Sequence, residues 1–226
     1  MTTPLNESIS ILNTLMSGLA STVLGPSVGD QDSAFRRAYG DIIANGQTLI
    51  TDLTLPAPLL NAFQLATATG ATLLGYDLFR QQIVNTTFVS QMAQSVNYLF
   101  LWFTLAQESI VISDTNYVSR QDAEADLATI DAAFTLAEVD VAELNTDVYL
   151  QMIYLHAATI RDLVARSMLL PQVVDYKFTR TLPSLSIAQR LYPDDALVED
   201  RSDELVLENK IVHPAFMPSS GICLSD

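Results

Sequence analysis

The sequence predicts a mainly α-helical protein with two parts. A helical N-terminal body contains a long helical hairpin, and a small α+β module with the order strand, helix, helix, strand follows it. Segments with a helical spacing of apolar residues occupy most of positions 1–170. An alternating segment rich in β-branched residues comes directly after Pro171, and two short helical patterns and a Pro-containing end come after that. We therefore expect two domains, 1–170 and 171–226.

The first two helices of the body are predicted from amphipathic patterns and turn signals. Residues 5–20 predict a short amphipathic helix, which the sequence GPSVGD at 25–30 ends. Asp30 or Asp32 is expected to N-cap a second helix over residues 33–53.

The middle of the body carries a weaker signal. The sequence LPAP at 55–58 interrupts the helical pattern because proline lacks the backbone donor that a helix interior needs. Residues 61–91 mix helix-compatible runs with threonine and glycine. A long helix is expected over residues 89–111.

Residues 119–144 show the clearest helical periodicity, and Ser119 with Asp122 resembles a capping box at their start. The sequence NTD at 145–147 restarts a helix over 148–170, so we expect an antiparallel hairpin or a sharp kink. The apolar stripe of this region comprises Leu127, Ile130, Phe134, Ala137, Val141, Leu144 and Val148.

The C-terminal module has short elements. VVDYKFT at 173–179 alternates and predicts a strand. Residues 182–192 predict a short helix, and residues 201–209 predict a second one with Ser202 as its cap. Residues 213–224 are expected to be extended or turn-like because of their proline spacing.

The charge balance narrows the classes of partner. The chain has 26 acidic and 11 basic residues, with a formal net charge of −15. A chain this acidic repels a phosphate backbone. Its one basic run, FRR at 35–37, is expected to be a solvated helix face. We therefore predict no nucleic-acid binding.

The mean hydropathy of +0.25 has two interpretations: apolar surface covered by partner subunits, or simply a large core.

No membrane partner is predicted either. The N-terminus lacks the basic region of a signal peptide and carries Glu7 before its apolar stretch, so we expect synthesis in the cytosol. The strongest apolar run, YLFLWFTLA at 98–106, is too short to span a bilayer and is flanked by Gln94 and Glu108. It predicts a core helix segment or a subunit contact.

No arrangement of residues predicts catalysis, a cofactor or a metal. The acids between 122 and 143 are expected to form a solvated helix face; they are Asp122, Glu124, Asp126, Asp131, Glu138, Asp140 and Glu143. His156 is expected to be a core or interface histidine, and His213 to be structural. Cys223 has no accompanying residues that would indicate a catalytic or metal-binding role, and it is expected to be a small buried residue. We do not expect an enzyme.

The C-terminal elements resemble a LysM module. YKF at 176–178, SLSIAQRLY at 184–192 and LVLENKIVHPAFMPSSGICL at 205–224 follow that family's order of strand, helix, helix and closing strand. The resemblance implies that Leu185, Ile187, Ala188, Leu205 and Leu207 pack the helices and that Asn209 ends the second helix. The glycines that shape the glycan groove of peptidoglycan-binding LysM domains are absent here.

A second resemblance covers residues 182–218. The family's string LPSLxLAxRLYGD…DELxxRNxIxHPGFVP, from the tail/DNA circulation proteins of Mu-like contractile-tailed phages, is similar to this segment. The matching positions are Leu182, Pro183, Ser184, Leu185, Ala188, Arg190, Leu191, Tyr192, Asp203, Glu204, Leu205, Asn209, Ile211, His213, Pro214, Phe216 and Pro218.

These resemblances imply a structural component of a contractile tail or baseplate, made in the host cytoplasm and present in several copies in the virion. It would dock to tube, hub or wedge proteins. The residues that we expect to contact partners are Tyr192, Asn209, His213, Pro214 and Phe216. Two alternatives remain open: a peptidoglycan-binding LysM-type module delivered by the virion, and, with less support, a glycan-cleaving enzyme that uses paired acids.

Overall fold

The computed structural model describes residues 3–23, 29–142, 146–193 and 196–225, with the backbone alone for residues 140–142. These ranges are mainly helical, as predicted. Seven helices come before the first strand: α1 (Pro4–Val23), α2 (Asp30–Thr51), α3 (Pro56–Ala68), α4 (Leu73–Val84), α5 (Gln91–Asp114), α6 (Arg120–Ala142) and α7 (Thr146–Ser167). They are followed by β1 (Val173–Lys177), α8 (Ser184–Leu191), α9 (Val198–Glu208) and β2 (Ser220–Leu224).

The chain divides into two compact units. One contains residues 1–115 and 129–162, and the other contains residues 116–128 and 163–226. The small antiparallel sheet formed by β1 and β2 belongs to the second unit, and its order of strand, helix, helix, strand was predicted. The domain boundary after residue 170 stays a prediction.

Helices α1 to α5 form the core of the first unit. Helix α5 contacts α1, α3 and α4, and α1 also contacts α2. The ring of Phe63 lies about 6 Å from those of Phe79, Phe100 and Phe103, at tilted or edge-on angles that aromatic pairs favour. The apolar run at 98–106 lies within α5, and Phe100 and Leu105 are fully buried, so it is a core helix segment.

The ambiguous stretch 61–91 contains most of α3, all of α4 and the start of α5. Gly70, between α3 and α4, has a φ of +102°, a conformation that glycine adopts without strain. The LPAP sequence does not simply interrupt the pattern, since Pro56 and Pro58 lie in the first turn of α3. A helix tolerates proline there because the first N–H groups have no intrahelical acceptor.

The predicted cap of α2 is wrong. The N-cap residue is Gly29, and Asp30 and Asp32 lie in the first turn of the helix. Negative charge is favourable at this end of the helix dipole, and Asp32 also pairs with Arg36 at 3.0 Å. Residues 24–28, which hold most of the predicted break, lie outside the described residues.

Helix α6 confirms much of the predicted stripe. Ile130, Phe134 and Ala137 are buried, whereas Leu127 is half-buried. Val148 lies on α7 and does not continue the stripe of α6. The side chains of Val141 and Leu144, and the start of the NTD sequence at residue 145, lie outside the described residues. At the start of α6, Ser119 Oγ accepts a hydrogen bond from the Asp122 N–H at 3.2 Å, as an N-cap does.

The acidic residues of α6 are not only a solvated face. Asp131 and Glu138 bind the two ring nitrogens of His156 on α7, at 2.9 and 2.8 Å. The ring of His156 stacks on Phe134 with their centroids 4.8 Å apart. His156 therefore links α6 and α7 through both of its ring nitrogens. The side chains of Asp140 and Glu143 lie outside the described residues.

Glu108 lies in the core of the helical body, a position that its sequence context did not predict. Its side chain is 1% exposed, and its Oε1 accepts a hydrogen bond from Arg80 Nε of α4 at 3.1 Å. The guanidinium of Arg80 also pairs with Asp77. Within the described residues Glu108 Oε2 has no hydrogen-bond partner. Burial raises the pKa of Glu108 to about 7, although Arg80 opposes that shift.

We expect Glu108→Gln to flatten the pH dependence of stability. The carboxyl ionises near its ordinary pKa of 4.5 in the unfolded chain and near 7 in the folded one, so the wild type loses stability as the pH rises through this window. As the pH rises from 5 to 8, the free energy of unfolding of the variant should increase relative to that of the wild type by on the order of 2 kcal/mol. Denaturant titrations followed by the fluorescence of Trp102, the only tryptophan, measure this difference.

Glu124→Gln on α6 is the matched control, because Glu124 is exposed and the substitution removes the same charge. A difference between Glu108→Gln and the wild type that is constant over this pH range would contradict the prediction.

Candidate docking site

The second unit has its own apolar core beneath the strand pair. Strands β1 and β2 run antiparallel, with Tyr176 opposite Gly221. Ile187, Ala188 and Leu205 are buried as expected, whereas Leu185 is 42% exposed and Leu207 is 75% exposed. The predicted packing role of these two leucines is therefore wrong. The buried cluster consists of Tyr176, Leu182, Ile187, Ala188, Tyr192, Leu205, Met217 and Cys223.

Helix α9 begins before its predicted cap. Its N-cap residue is Leu197, so Ser202 lies inside the helix. The side chain of Ser202 is buried, and its Oγ lies 2.7 Å from Ser184 Oγ of α8. Ser202 therefore links two helices, because the hydroxyl finds a partner on α8 in place of a backbone N–H. Asp194 and Asp195, which precede α9 in the sequence, lie outside the described residues.

Asn209 fastens the end of α9 to the outer edge of β2. It is the C-cap residue of α9, and its Nδ2 donates to Leu205 O at 2.8 Å and to Ile222 O at 2.7 Å. Its Oδ1 accepts from the Ile222 N–H at 2.9 Å. The amide thus satisfies both backbone groups of Ile222 in the way that a neighbouring strand would.

Tyr192 also binds the outer edge of β2. Its side chain is buried, its hydroxyl donates to Leu224 O, and the Arg201 guanidinium lies 4.9 Å from the centre of its ring. Burial raises the pKa of the Tyr192 hydroxyl, so it stays a hydrogen-bond donor at neutral pH. The polar groups of Tyr192 and Asn209 are therefore used inside the unit. Their docking role stays a prediction.

His213, Pro214 and Phe216 lie together in one exposed turn. Pro214–Phe216 form a single 3₁₀ turn, and His213 Nδ1 accepts a hydrogen bond from the Ala215 N–H at 3.1 Å. The Phe216 N–H donates to His213 O at 3.1 Å, and the two rings lie 5.5 Å apart. Phe216 is 75% exposed, and Val212 is fully exposed. We refer to residues 212–216 as the apolar turn.

A groove of about 460 Å³ runs beside the apolar turn. One wall is the start of α8 with Leu185, another is the face of α9 that carries Glu199 and Asp203, and the third is the turn itself with His213 and Pro214. The site therefore combines apolar contact area with two carboxylates. Within the described ranges, no group of three or more His, Cys, Asp or Glu side chains is placed to hold a metal ion.

Gln121 has a supporting role that the sequence did not predict. Its Oε1 accepts from the Val173 N–H at 2.8 Å, and its Nε2 donates to Val173 O at 3.1 Å. This amide covers part of the outer edge of β1, as Asn209 does for β2. Gln121 and Val173 are 52 positions apart in the chain, and nothing in the local sequence indicates that they meet.

A scan against protein-family models finds no match for this chain, and a search of the curated proteins finds none either. No described helix is both long and apolar enough to cross a membrane.

We expect Asn209→Ala to destabilise the second unit by about 2 kcal/mol, because it leaves both backbone groups of Ile222 without a partner. Hydrogen exchange of the Ile222 and Cys223 amides in rising denaturant measures the loss. Asn209→Asp keeps one acceptor for the Ile222 N–H and should fall between the wild type and Asn209→Ala. Unchanged protection in Asn209→Ala would contradict the proposed clamp.

Proposed function

We propose that the protein is a structural adaptor of a contractile phage tail or baseplate, and that it docks to other tail proteins through the apolar turn. One observation carries this proposal: a large aromatic side chain, Phe216, is held in solvent by a turn whose backbone is fixed by its own hydrogen bonds. The similarity of residues 182–218 to the tail/DNA circulation family supports the kind of assembly in which this contact is made.

The geometry of the turn suits a protein interface. Aromatic side chains dominate the binding energy of many interfaces because they bury a large area with few rotatable bonds. The hydrogen bonds of His213 hold Phe216 in place before any partner arrives. Little backbone conformational entropy is then lost on docking. The exposed Val212 and the half-exposed Leu185 extend the apolar area beside it.

The roles within the similar segment divide by burial. Leu182, Tyr192 and Leu205 are buried and hold the unit together, whereas His213 and Phe216 leave their rings accessible. Among the exposed residues of the segment, Phe216 offers the largest apolar side chain to a partner. The net charge of −15 argues against a DNA ligand, whatever the name of the similar family. The proposed place of action is the virion, after synthesis in the host cytoplasm.

We expect Phe216→Ser to weaken incorporation into tail particles about tenfold, because it removes the central apolar contact. Mass spectrometry of particles purified from cells that express the variant in place of the wild type gives the ratio. Leu207→Ser is the matched control, since Leu207 is also 75% exposed but lies on α9 outside the turn. Equal incorporation of Phe216→Ser and the wild type, or absence of the wild type from the particles, would overturn the proposal.

The second candidate is a peptidoglycan-binding module of the LysM type. The groove formed by the start of α8, one face of α9 and the apolar turn favours it, because a concave site of about 460 Å³ can hold part of a glycan chain. Purified sacculi decide between the two functions. Retention of the wild type, and its loss on Leu185→Asp at the wall of the groove, would favour the glycan function. The adaptor proposal predicts no retention.

A further inference from the structure

The backbone groups of β1 point alternately toward β2 and away from it. The Phe178 N–H donates to Ser219 O at 2.6 Å, and the Ser225 N–H donates to Gln172 O at 2.7 Å. These bonds, with Tyr176 opposite Gly221, place the even-numbered residues of β1 in the ladder. The N–H and C=O groups of Val173, Asp175 and Lys177 therefore point to the outer edge of the sheet.

This outer edge is only partly covered. Gln121 binds both backbone groups of Val173. Asp175 and Lys177 are exposed, and their outward backbone groups have no hydrogen-bond partner in the part of the chain that the structure describes. An uncovered strand edge is a template for another strand. Gln121 limits this template to residues 174–178.

The side chains at this edge carry opposite charges on one face of the strand. Asp175 and Lys177 are two residues apart, so both point to the solvent face of the sheet. Neither makes an ion pair with another described residue. A strand that runs antiparallel to β1, centred on Tyr176, would place its own residue 177 opposite Asp175 and its residue 175 opposite Lys177. The edge is therefore complementary in charge to itself.

We infer that two copies of the chain associate through this edge, with Tyr176 at a two-fold axis, to form a continuous sheet of four strands in the order β2, β1, β1, β2. Residues 175 and 177 are then directly opposite each other in hydrogen-bonded pairs, and two Asp–Lys pairs form across the axis. A contact of this kind is isologous and closes at a dimer. It also gives two strongly acidic chains a place where opposite charges meet.

Charge exchange tests this inference. Sedimentation equilibrium of the full chain at about 0.15 M salt, where surface charges are felt only at short range, should show a concentration-dependent dimer. Asp175→Lys places two lysines opposite each other, and Lys177→Asp places two aspartates opposite each other. Each variant should raise the dimer dissociation constant about tenfold or more. The double variant D175K/K177D restores opposite pairs and should return to the value of the wild type.

Asp200→Lys and Lys210→Asp are the controls for net charge, because each makes the same charge change at an exposed position away from β1. Both should keep the dimer. A monomeric wild type at about 1 mM, where even contacts of −4 kcal/mol would be visible, would overturn the inference. A dimer of unchanged strength in both single variants, or a double variant as weak as the single ones, would also overturn it.

Hydrogen exchange gives an independent readout. In the dimer, the amides of Asp175 and Lys177 should be protected, and they should exchange rapidly in the Asp175→Lys variant. The amides of Val174 and Tyr176 point to β2, so they should stay protected in both proteins and report that the unit is folded. Rapid exchange of Asp175 and Lys177 in a sample that sediments as a dimer would place the interface elsewhere and contradict the inference.

Discussion

The stability of the second unit depends on how the outer edges of its two-stranded sheet are satisfied. Both strands are edge strands, so each has a row of outward N–H and C=O groups that β1–β2 pairing leaves unsatisfied. Side chains supply much of what is missing. Asn209 pairs with Ile222, and Gln121 pairs with Val173. An isolated pair of strands is marginal in water, and these amides join it to the ends of α9 and α6, which bring it the apolar contacts it needs.

The same constraint explains why residues that resemble a docking motif lie inside the unit. Tyr192 and Asn209 belong to the segment that is similar to the phage family, yet both use their polar groups on β2. A segment that is similar to a known family contains both residues that maintain the fold and residues that contact partners. Burial and hydrogen bonding separate the two classes, and they leave His213 and Phe216 as exposed members. The proposed adaptor function therefore depends on the turn more than on the whole segment.

The helical body follows a different logic, because its helices satisfy their own backbones and are held by packing. Phe63, Phe79 and Phe100 supply an aromatic centre in which their edges and faces meet. The exception is the pair of Arg80 and Glu108, which buries a carboxyl group among apolar side chains. A buried ionic pair of this kind contributes little net stability, because desolvation offsets much of the attraction between the charges. It does make the body sensitive to the protonation of one residue.

The sequence by itself determined the helical character, the positions of the long helices and the order of elements after Pro171. These features follow from local periodicity, and each segment carries that information alone. Tertiary structure decided what depends on residues far apart in the chain. Ser202, inside α9, meets Ser184 of α8, and Leu207 is exposed because the core of its unit faces the other side of α9. Glu108 is a core residue because its hydrogen-bond partner is Arg80 of another helix. Gln121 covers the edge of β1 because its partner is Val173. Both partners are distant in sequence, so local spacing does not encode either contact.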